Sequence, residues 1–551
     1  MIATAELRST AASRLACALI AIMIAIAGVH AWRVTSPLTW PYDADLFRDA
    51  AAAQTILDGD PLSDPFYRGE TLWYNPLVPA LVATTSWGTG IRVPTLYARA
   101  GVVLNLLTPI AFAALVWILG GPWASVAATA IFIFCPSPTS PPTSWPSYSP
   151  WLFPAVFAQA LFYVTLITLH RAYASERFTP YVIVGCMLGL TFLAHTAPAL
   201  LVGSIMALEA ANALWRRNAQ SRVCLTGTLL ALACAAAISL PLAISIVGRY
   251  HLRVLNPVPA SWESGELLLK NFQTLVRGAL SIPSMLAIAG VAVLIFDPHA
   301  KQARRVAPGW LMVNAAWLGW IYACQLAPGR GWAFGSVVPD YHFLFYWRAL
   351  AAVLGGIGAF GLARVAASLV SQVGQRVLNL TALAYLPAAF LTAAVAGAMP
   401  FVYPGFASRF DFTSAVSRSL PRSEHQPEVM AADWIRRETP RDAVFLSYDE
   451  VSLYVVGPTG RKVLAVGAFF SNPYVDRAVR IDARRVMWDA LRAGDEASFC
   501  RTARPFAVTH VVLGEDHSTE WAPKMQSFLA PAFSAGHLRI WRVVGCSGGR
   551  G

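Results

Sequence analysis

Residues 39–81 read TWPYDADLFRDAAAAQTILDGDPLSDPFYRGETLWYNPLVPAL, and the rest of the chain is best read outward from them. The stretch gathers Asp43, Asp45, Asp49, Asp58, Asp60 and Asp64 in a chain where Asp, Glu, Lys and Arg make up only 13% of residues. An ordinary soluble protein has roughly 25%. It also follows directly on a long apolar run. Carboxylates grouped at the end of a membrane span are costly to place and rarely idle.

The 551 residues are 56% hydrophobic, with a mean hydropathy of +0.51. Those values describe a polytopic α-helical membrane protein, not a globular enzyme on one anchor. A span takes about 20 apolar residues to cross a hydrocarbon core of roughly 30 Å, and about eleven apolar segments are read here. They lie near 15–34, 95–119, 122–136, 151–170, 180–194, 197–214, 222–247, 279–297, 309–327, 343–367 and 378–400. Residues 180–214 are read as two short segments meeting at a bend around His195 and Pro198, because proline lacks a donor and disfavours helix before it. Arg8, Arg14 and the apolar run from Leu15 also fit a cleavable signal peptide. A retained first span is preferred, since it sets the acidic loop on the membrane surface.

The net charge of +12 would suit nucleic acid, but the basic residues sit mostly in short connections between apolar runs and in the tail. Arg171 and Arg177, then Arg216, Arg217 and Arg222, then Lys301, Arg304 and Arg305, then Arg364 and Arg376 fall on one side. By the positive-inside rule that side is cytoplasmic. Loop 35–94, the 137–150 connection, loops 249–278 and 328–342, and everything after Pro400 fall on the other. The expectation is a multi-pass protein of the inner (cytoplasmic) membrane, with the lipid bilayer and not nucleic acid as its surroundings.

The domain reading is a transmembrane domain over 1–400, containing the acidic loop 35–94, and an extracytoplasmic α/β soluble domain over 401–551. In the tail, a helix is expected at Pro427–Glu438 and another at Asp482–Ala493. Strands are expected at Ala443–Leu446, Val463–Val466 and Ala507–Leu513. Six of the eight cysteines lie in or beside apolar runs and read as packing residues. Cys500 and Cys546 can pair if the tail is extracytoplasmic; the spacing leaves that open.

For the acidic loop, a helix over 44–57 makes Asp43 its N-cap and puts Asp45 and Asp49 on one face. The plain reading is capping plus an Asp45–Arg48 pair. The chemical reading is that Asp43 or Asp45 acts as a general base toward a hydroxyl, or that the two help hold a divalent cation, Mg or Mn. Arg68, Trp73 and Tyr74 follow. Trp and Tyr serve as interfacial anchors, yet an aromatic surface flanked by polar groups also suits a sugar ring. No Gly-rich phosphate loop, His-rich metal box or Ser-His-Asp signature stands in a convincing context.

Residues 42–81 resemble the first extracytoplasmic loop of GT-C glycosyltransferases, multispan enzymes that use polyprenyl-phosphate-linked sugars. The shared pattern is an acidic motif after the first span, an Ala-rich helix ending in Gly-Asp, a Tyr-x-Gly, then Tyr-x-Pro-Leu entering the next segment. The resemblance implies that the catalytic carboxylate is Asp43, with Asp45 the close second, and that transfer inverts the anomeric centre. Relatives carry adjacent acids where this chain has Asp-Ala-Asp, which leaves the base and any metal open. A polyprenyl phosphate leaving group needs cations on the same membrane face. Arg330, His342 and Arg348 are the candidates there, with Arg249, His251 and Arg253 as a second cluster that also reads as interfacial anchoring.

The expected function is sugar transfer from a polyprenyl-phosphate donor to an envelope glycan, lipid or protein. A transporter or flippase of lipid-linked glycans, or a non-catalytic envelope scaffold, is the alternative. A transporter favours inverted repeats and charges deep within several spans, and neither is clear in this sequence.

Overall fold

Apolar runs of this length meet no water in lipid, so they satisfy their own backbone groups as helices. The computed structural model describes residues 2–135, 147–216, 219–258, 265–297, 300–326, 338–374, 385–402, 426–514, 520–521 and 524–547. Among these, six helices are long and apolar enough to cross a membrane: Ala11–Thr35, Gly101–Gly120, Pro154–Tyr173, Thr196–Trp215, Ser221–Arg249 and Asp340–Ser368. Leu269–Gly278 and Ile282–Phe296, bent by 66°, make a seventh if they count as one span. In its described part each segment read from the sequence overlaps one or more helices, with 378–384 of the last lying outside the described residues, but several of those helices, such as Pro122–Phe134 and Thr179–Ala194, are shorter than a full span. The protein is an integral membrane protein.

The chain divides into two units, one of Met1–Thr35, Gly101–Ser239 and Glu263–Phe412, the other of Ser36–Ala100, Leu240–Trp262 and Thr413–Gly551. In the first, the Asp340–Gly374 helix packs on Ile282–Phe296 and Pro122–Phe134 through glycines. Gly290 lies against the Leu354 carbonyl, Gly358 against the Leu286 carbonyl and Gly356 against the Ala124 carbonyl, each too close for a Cβ. Small residues of this kind let helices approach where lipid offers no hydrophobic drive. The expected bend is present. His195 is extended (φ −164°, ψ 141°) between Thr179–Ala194 and the helix from Thr196, and Pro198 sits in that helix's first turn, where no donor is needed. Charges gather at one connection, where Arg364 pairs with Asp297 at 3.0 Å and Arg304 donates to the Asp297 carbonyl at 2.6 Å.

In the second unit, β1 (Val444–Leu446), β2 (Lys462–Val463), β3 (Val508–Gly514), β4 (Leu529–Ala535) and β5 (Leu538–Val543) form one sheet in the order β2-β1-β3-β5-β4. β1 runs parallel to both β2 and β3, while β5 is antiparallel to β3 and β4. The Pro427–Glu438 helix is as expected; the second begins earlier than expected, as Arg477–Ala493, capped by Asp476. The β4–β5 hairpin is not signalled by the sequence. Pro531 argues against a strand, and it is accommodated because β4 is an edge. Cys500 and Cys546 are disulfide-bonded, with Cα atoms 5.0 Å apart.

The acidic loop belongs to this unit's core. Trp40, Phe47, Ala51, Phe66 and Tyr67 are buried in one cluster with Val429, Ile435, Phe445, Val456, Val463 and Val512 of the tail. The Phe66 carbonyl accepts from the Val463 amide at 2.8 Å.

Candidate active site

The Ala44–Leu57 helix follows from its residues. Four consecutive alanines, 50–53, favour helix, Asp43 caps its start, and Gly59 (φ 98°) takes the left-handed conformation just past its end. Its buried face carries Leu46, Phe47, Ala50 and Ala51. Asp43 is extended (φ −106°, ψ 145°), and its Oδ1 accepts from the Asp45 amide at 3.0 Å. Burial, and then the Asp45 carboxylate beside it, push the Asp43 carboxyl up to about 6; the Asp45 amide and Arg48 oppose that rise.

Arg48 is the hub of this end of the helix. Its Nη1 lies 2.9 Å from Asp45 Oδ1, its Nε donates to Asp49 Oδ1 at 2.9 Å, and its guanidinium sits 4.0 Å over the Tyr74 ring. A planar fork can serve two carboxylates and an aromatic face together, as an ammonium cannot. Asp49 is fully buried, and burial pushes its carboxyl up to about 6 against the pull of Arg48. Asp45 is 47% exposed. Asp49 is therefore locked into structure, while Asp43 and Asp45 keep access to solvent. The Asp45–Arg48 pair and the Asp43 cap are as the sequence predicts; the Arg48–Asp49–Tyr74 cluster is not legible in it.

The remaining loop aspartates are structural. Asp58 pairs with Arg461 at 3.1 Å, Asp60 accepts from Ser63, and buried Asp64 accepts from the Phe66 and Tyr67 amides at 2.7 and 2.8 Å. Arg68 pairs with Asp442 at 2.8 Å on the surface. Trp73 is buried, its ring edge-on to Tyr74 at 5.5 Å, so the two rings back the Arg48 cluster rather than forming an open platform.

Asp43 and Asp45 do not make a cation site by themselves. They supply two carboxylates, and that of Asp45 is already engaged by Arg48. Among the described residues no group of three or more His, Cys, Asp or Glu is placed to hold a metal ion.

In the first unit, Arg348 lines a cavity of about 780 Å³ together with Arg277, Ser281 and Ser284 and apolar walls that include Phe132 and Leu354. His342 is buried, its ring 4.4 Å from that of His195 and 4.0 Å from that of Tyr341. Asp340 accepts from Asn271 Nδ2 and the Tyr322 hydroxyl, each at 2.9 Å. Arg330 lies outside the described residues.

No protein-family model matches the sequence, and no curated protein does. Solved structures do match. ArnT from Cupriavidus metallidurans in the apo state aligns over 97% of this chain and 100% of its own, with a TM-score of 0.55 at 13% identity. The same protein bound to undecaprenyl phosphate aligns over 96% and 99%, with a TM-score of 0.53 at 12% identity. The chain has the GT-C fold. The Archaeoglobus fulgidus oligosaccharyltransferase, crystallised with Zn and sulfate, aligns over 92% of this chain and 71% of its own, with a TM-score of 0.50 at 14% identity. A GT-C fold extending over nearly the whole chain includes the tail as well as the helices.

Proposed function

We propose that this GT-C protein is a glycosyltransferase that moves a sugar from a polyprenyl-phosphate donor to an envelope acceptor, with inversion, on the extracytoplasmic face. The observation that carries the reading is the placement of Asp43, half-buried at the cap of the Ala44–Leu57 helix and beside Asp45, where burial raises its carboxyl to about 6. A base poised there is deprotonated at neutral pH and still basic enough to take a hydroxyl proton as the bond forms. Asp43 removes that proton, the acceptor oxygen bonds to the anomeric carbon, and the bond to phosphate breaks with its electron pair on the departing polyprenyl phosphate. Asp45, held by Arg48, is the alternative base.

The first unit's cavity suits the lipid, with apolar walls for a polyprenyl chain and Arg348 and Arg277 for an anionic head. Arg330 and His342 are proposed as further donors to the phosphate and Arg68, on the surface, as a sugar contact, while Trp73 and Tyr74 act only from behind, by holding the Arg48 guanidinium. The side assignment has two supports. Segments 36–100 and 240–262 and the tail fall in one unit, which contains none of the basic connections, and the Cys500–Cys546 disulfide suits an oxidising compartment. Counting the bent pair, the three shorter apolar helices and the Lys301–Leu326 helix beside the six long spans, the reading keeps about eleven membrane segments.

The test is transfer by purified full-length protein in nanodiscs. A panel of synthetic polyprenyl-phosphate hexoses and pentoses serves as donor, and envelope extract as acceptor. Asp43→Asn is expected to lose about 10²–10⁴-fold in turnover, the usual contribution of a general base. Full turnover in both Asp43→Asn and Asp45→Asn overturns the reading. Translocation of lipid-linked sugar without covalent transfer moves the assignment to a transporter.

A further inference from the structure

The Ser221–Arg249 span does not simply run out into solvent. The Tyr250 amide donates back to the Ser245 carbonyl at 3.2 Å, that of His251 to Val247 at 3.1 Å and that of Leu252 to Ile246 at 3.1 Å. His251 and Leu252 are both left-handed, with φ of 49° and 56°. Neither has the freedom of glycine, and two such residues in succession are held only where the surroundings impose them. The chain therefore reverses at once, and the Leu252 backbone sits beside the span's last turn.

Five successive residues, His251 to Leu255, are then exposed. Leu252 is 56%, Val254 50% and Leu255 45% exposed, alternating with the cations of Arg253 and, when protonated, His251. Arg249 is not part of this set, since it lies 3.6 Å from Glu70 and donates to the Gly69 carbonyl. Both ends of the reversal are clamped. The Tyr250 hydroxyl accepts from the Thr71 amide at 2.9 Å and from Asn472 at 3.1 Å, and donates to Glu70 at 3.1 Å; its ring stacks on Tyr474 at 5.1 Å. At the other end the Leu255 and Asn256 amides donate to the Pro473 carbonyl at 2.8 and 2.9 Å, and Asn256 Nδ2 donates to the Ala468 carbonyl at 3.1 Å.

We infer that residues 251–255 are a membrane-surface anchor, seated in the headgroup layer and selective for anionic phospholipid. Alternating aliphatic and basic side chains, beside the end of a span, match a lipid interface that is apolar at the acyl boundary and carries anionic headgroups. Water would leave three aliphatic side chains exposed on a strained, rigidly clamped turn. Because Tyr250 and Asn256 tie the segment to the acidic loop and to the tail, the anchor sets the height of the whole second unit, Asp43 included, against the bilayer. Residues 251–255 have this geometry, and would anchor the protein, whether or not it transfers sugars.

The experiment is photocrosslinking of the full-length protein in nanodiscs of phosphatidylcholine and phosphatidylglycerol, with p-benzoylphenylalanine replacing Leu252 or Val254. Ile244 in the span, 59% exposed, is the positive control, and Val479 in the tail, 54% exposed, the negative one. Mass spectrometry is expected to find phospholipid adducts at 252 and 254 near the Ile244 level and about tenfold above Val479, as partitioning into the interface requires. Phosphatidylglycerol should be enriched in those adducts, and Arg253→Glu should abolish the enrichment. Adducts to protein at 252, no lipid adduct at all, or lipid adducts at Val479 equal to those at 252 overturn the anchor. Equal use of the two lipids by the unsubstituted sequence overturns its selectivity.

Discussion

Arg461 Nη1 lies 3.1 Å from Asp58 Oδ2, joining the tail to the residue that ends the acidic loop's helix. The same guanidinium, 6% exposed, donates to the carbonyls of Thr459, Arg436 and Thr439 at 3.0, 2.7 and 3.0 Å. One side chain thus satisfies an acid and three buried backbone acceptors. Arg461→Met is expected to destabilise the second unit by about 3–5 kcal/mol, the cost of breaking a buried ion pair from one side. Thermal unfolding of the purified protein checks this. A double-mutant cycle with Asp58→Asn that shows no coupling would mean the pair is incidental.

The Asp43 carboxyl gives the proposed activity a pH signature. A base must be deprotonated to act, so kcat/KM should rise with pH through about 6 and level off above it. An unperturbed aspartate would place that limb near 4. A limb at 4 would show that burial does not act on the Asp43 carboxyl.

Arg48 and Asp49 should behave as one unit. Arg48→Met strands a fully buried carboxylate and is expected to cost about 3–5 kcal/mol. Adding Asp49→Asn removes the stranded charge, so the double variant should recover part of the loss. Arg48→Lys should restore less than half of it, because an ammonium cannot reach Asp45 and Asp49 while stacking on Tyr74. A double variant worse than Arg48→Met would refute the coupling.

His510 predicts acid sensitivity of the tail. It is buried on β3, its ring 4.8 Å from that of Phe445, and burial with Arg542 nearby holds its imidazole down to about 4. The unfolded chain takes up this proton near 6.5 and the folded one only near 4. The stability it contributes is thus full above 6.5 and lost as pH falls toward 4, by up to about 3 kcal/mol. His510→Gln should flatten the fall in the tail's unfolding midpoint over that window. An unchanged slope would assign the effect elsewhere.

The first unit's helix packing has a direct test at Gly358, which lies against the Leu286 carbonyl. Gly358→Val should cost about 1–3 kcal/mol or more through overpacking, read as loss of monodisperse protein on size exclusion. Gly203, where a Cβ would meet nothing within 4 Å, is the control position for Gly→Ala.

Local features of the acidic loop follow from covalent neighbours and are legible in sequence. The Asp43 cap, the Ala44–Leu57 helix and the Asp45–Arg48 pair all lie within one or two turns, and their geometry is that of any helix with these residues. The same holds for the break at His195 ahead of Pro198. The β4–β5 hairpin was hidden because an edge position accepts Pro531, and edge status depends on which strands pair.

That this chain lives in a membrane, that its apolar runs form helices, and which loop gathers its acids are all written in the order of its residues. Hydropathy and short-range spacing suffice for that, because lipid leaves the backbone no choice but to bond within each segment. Folding in three dimensions is what brings Trp40 to Tyr67 of the acidic loop into one core with a tail more than 300 positions away, so that Asp58 and Asp64 serve folding. It also buries Asp49 against Arg48, while Asp43 and the Arg48-paired Asp45 keep access to solvent. Burial is a property of what packs around a group, and a carboxyl's place near 6 rather than 4 depends on neighbours distant in sequence.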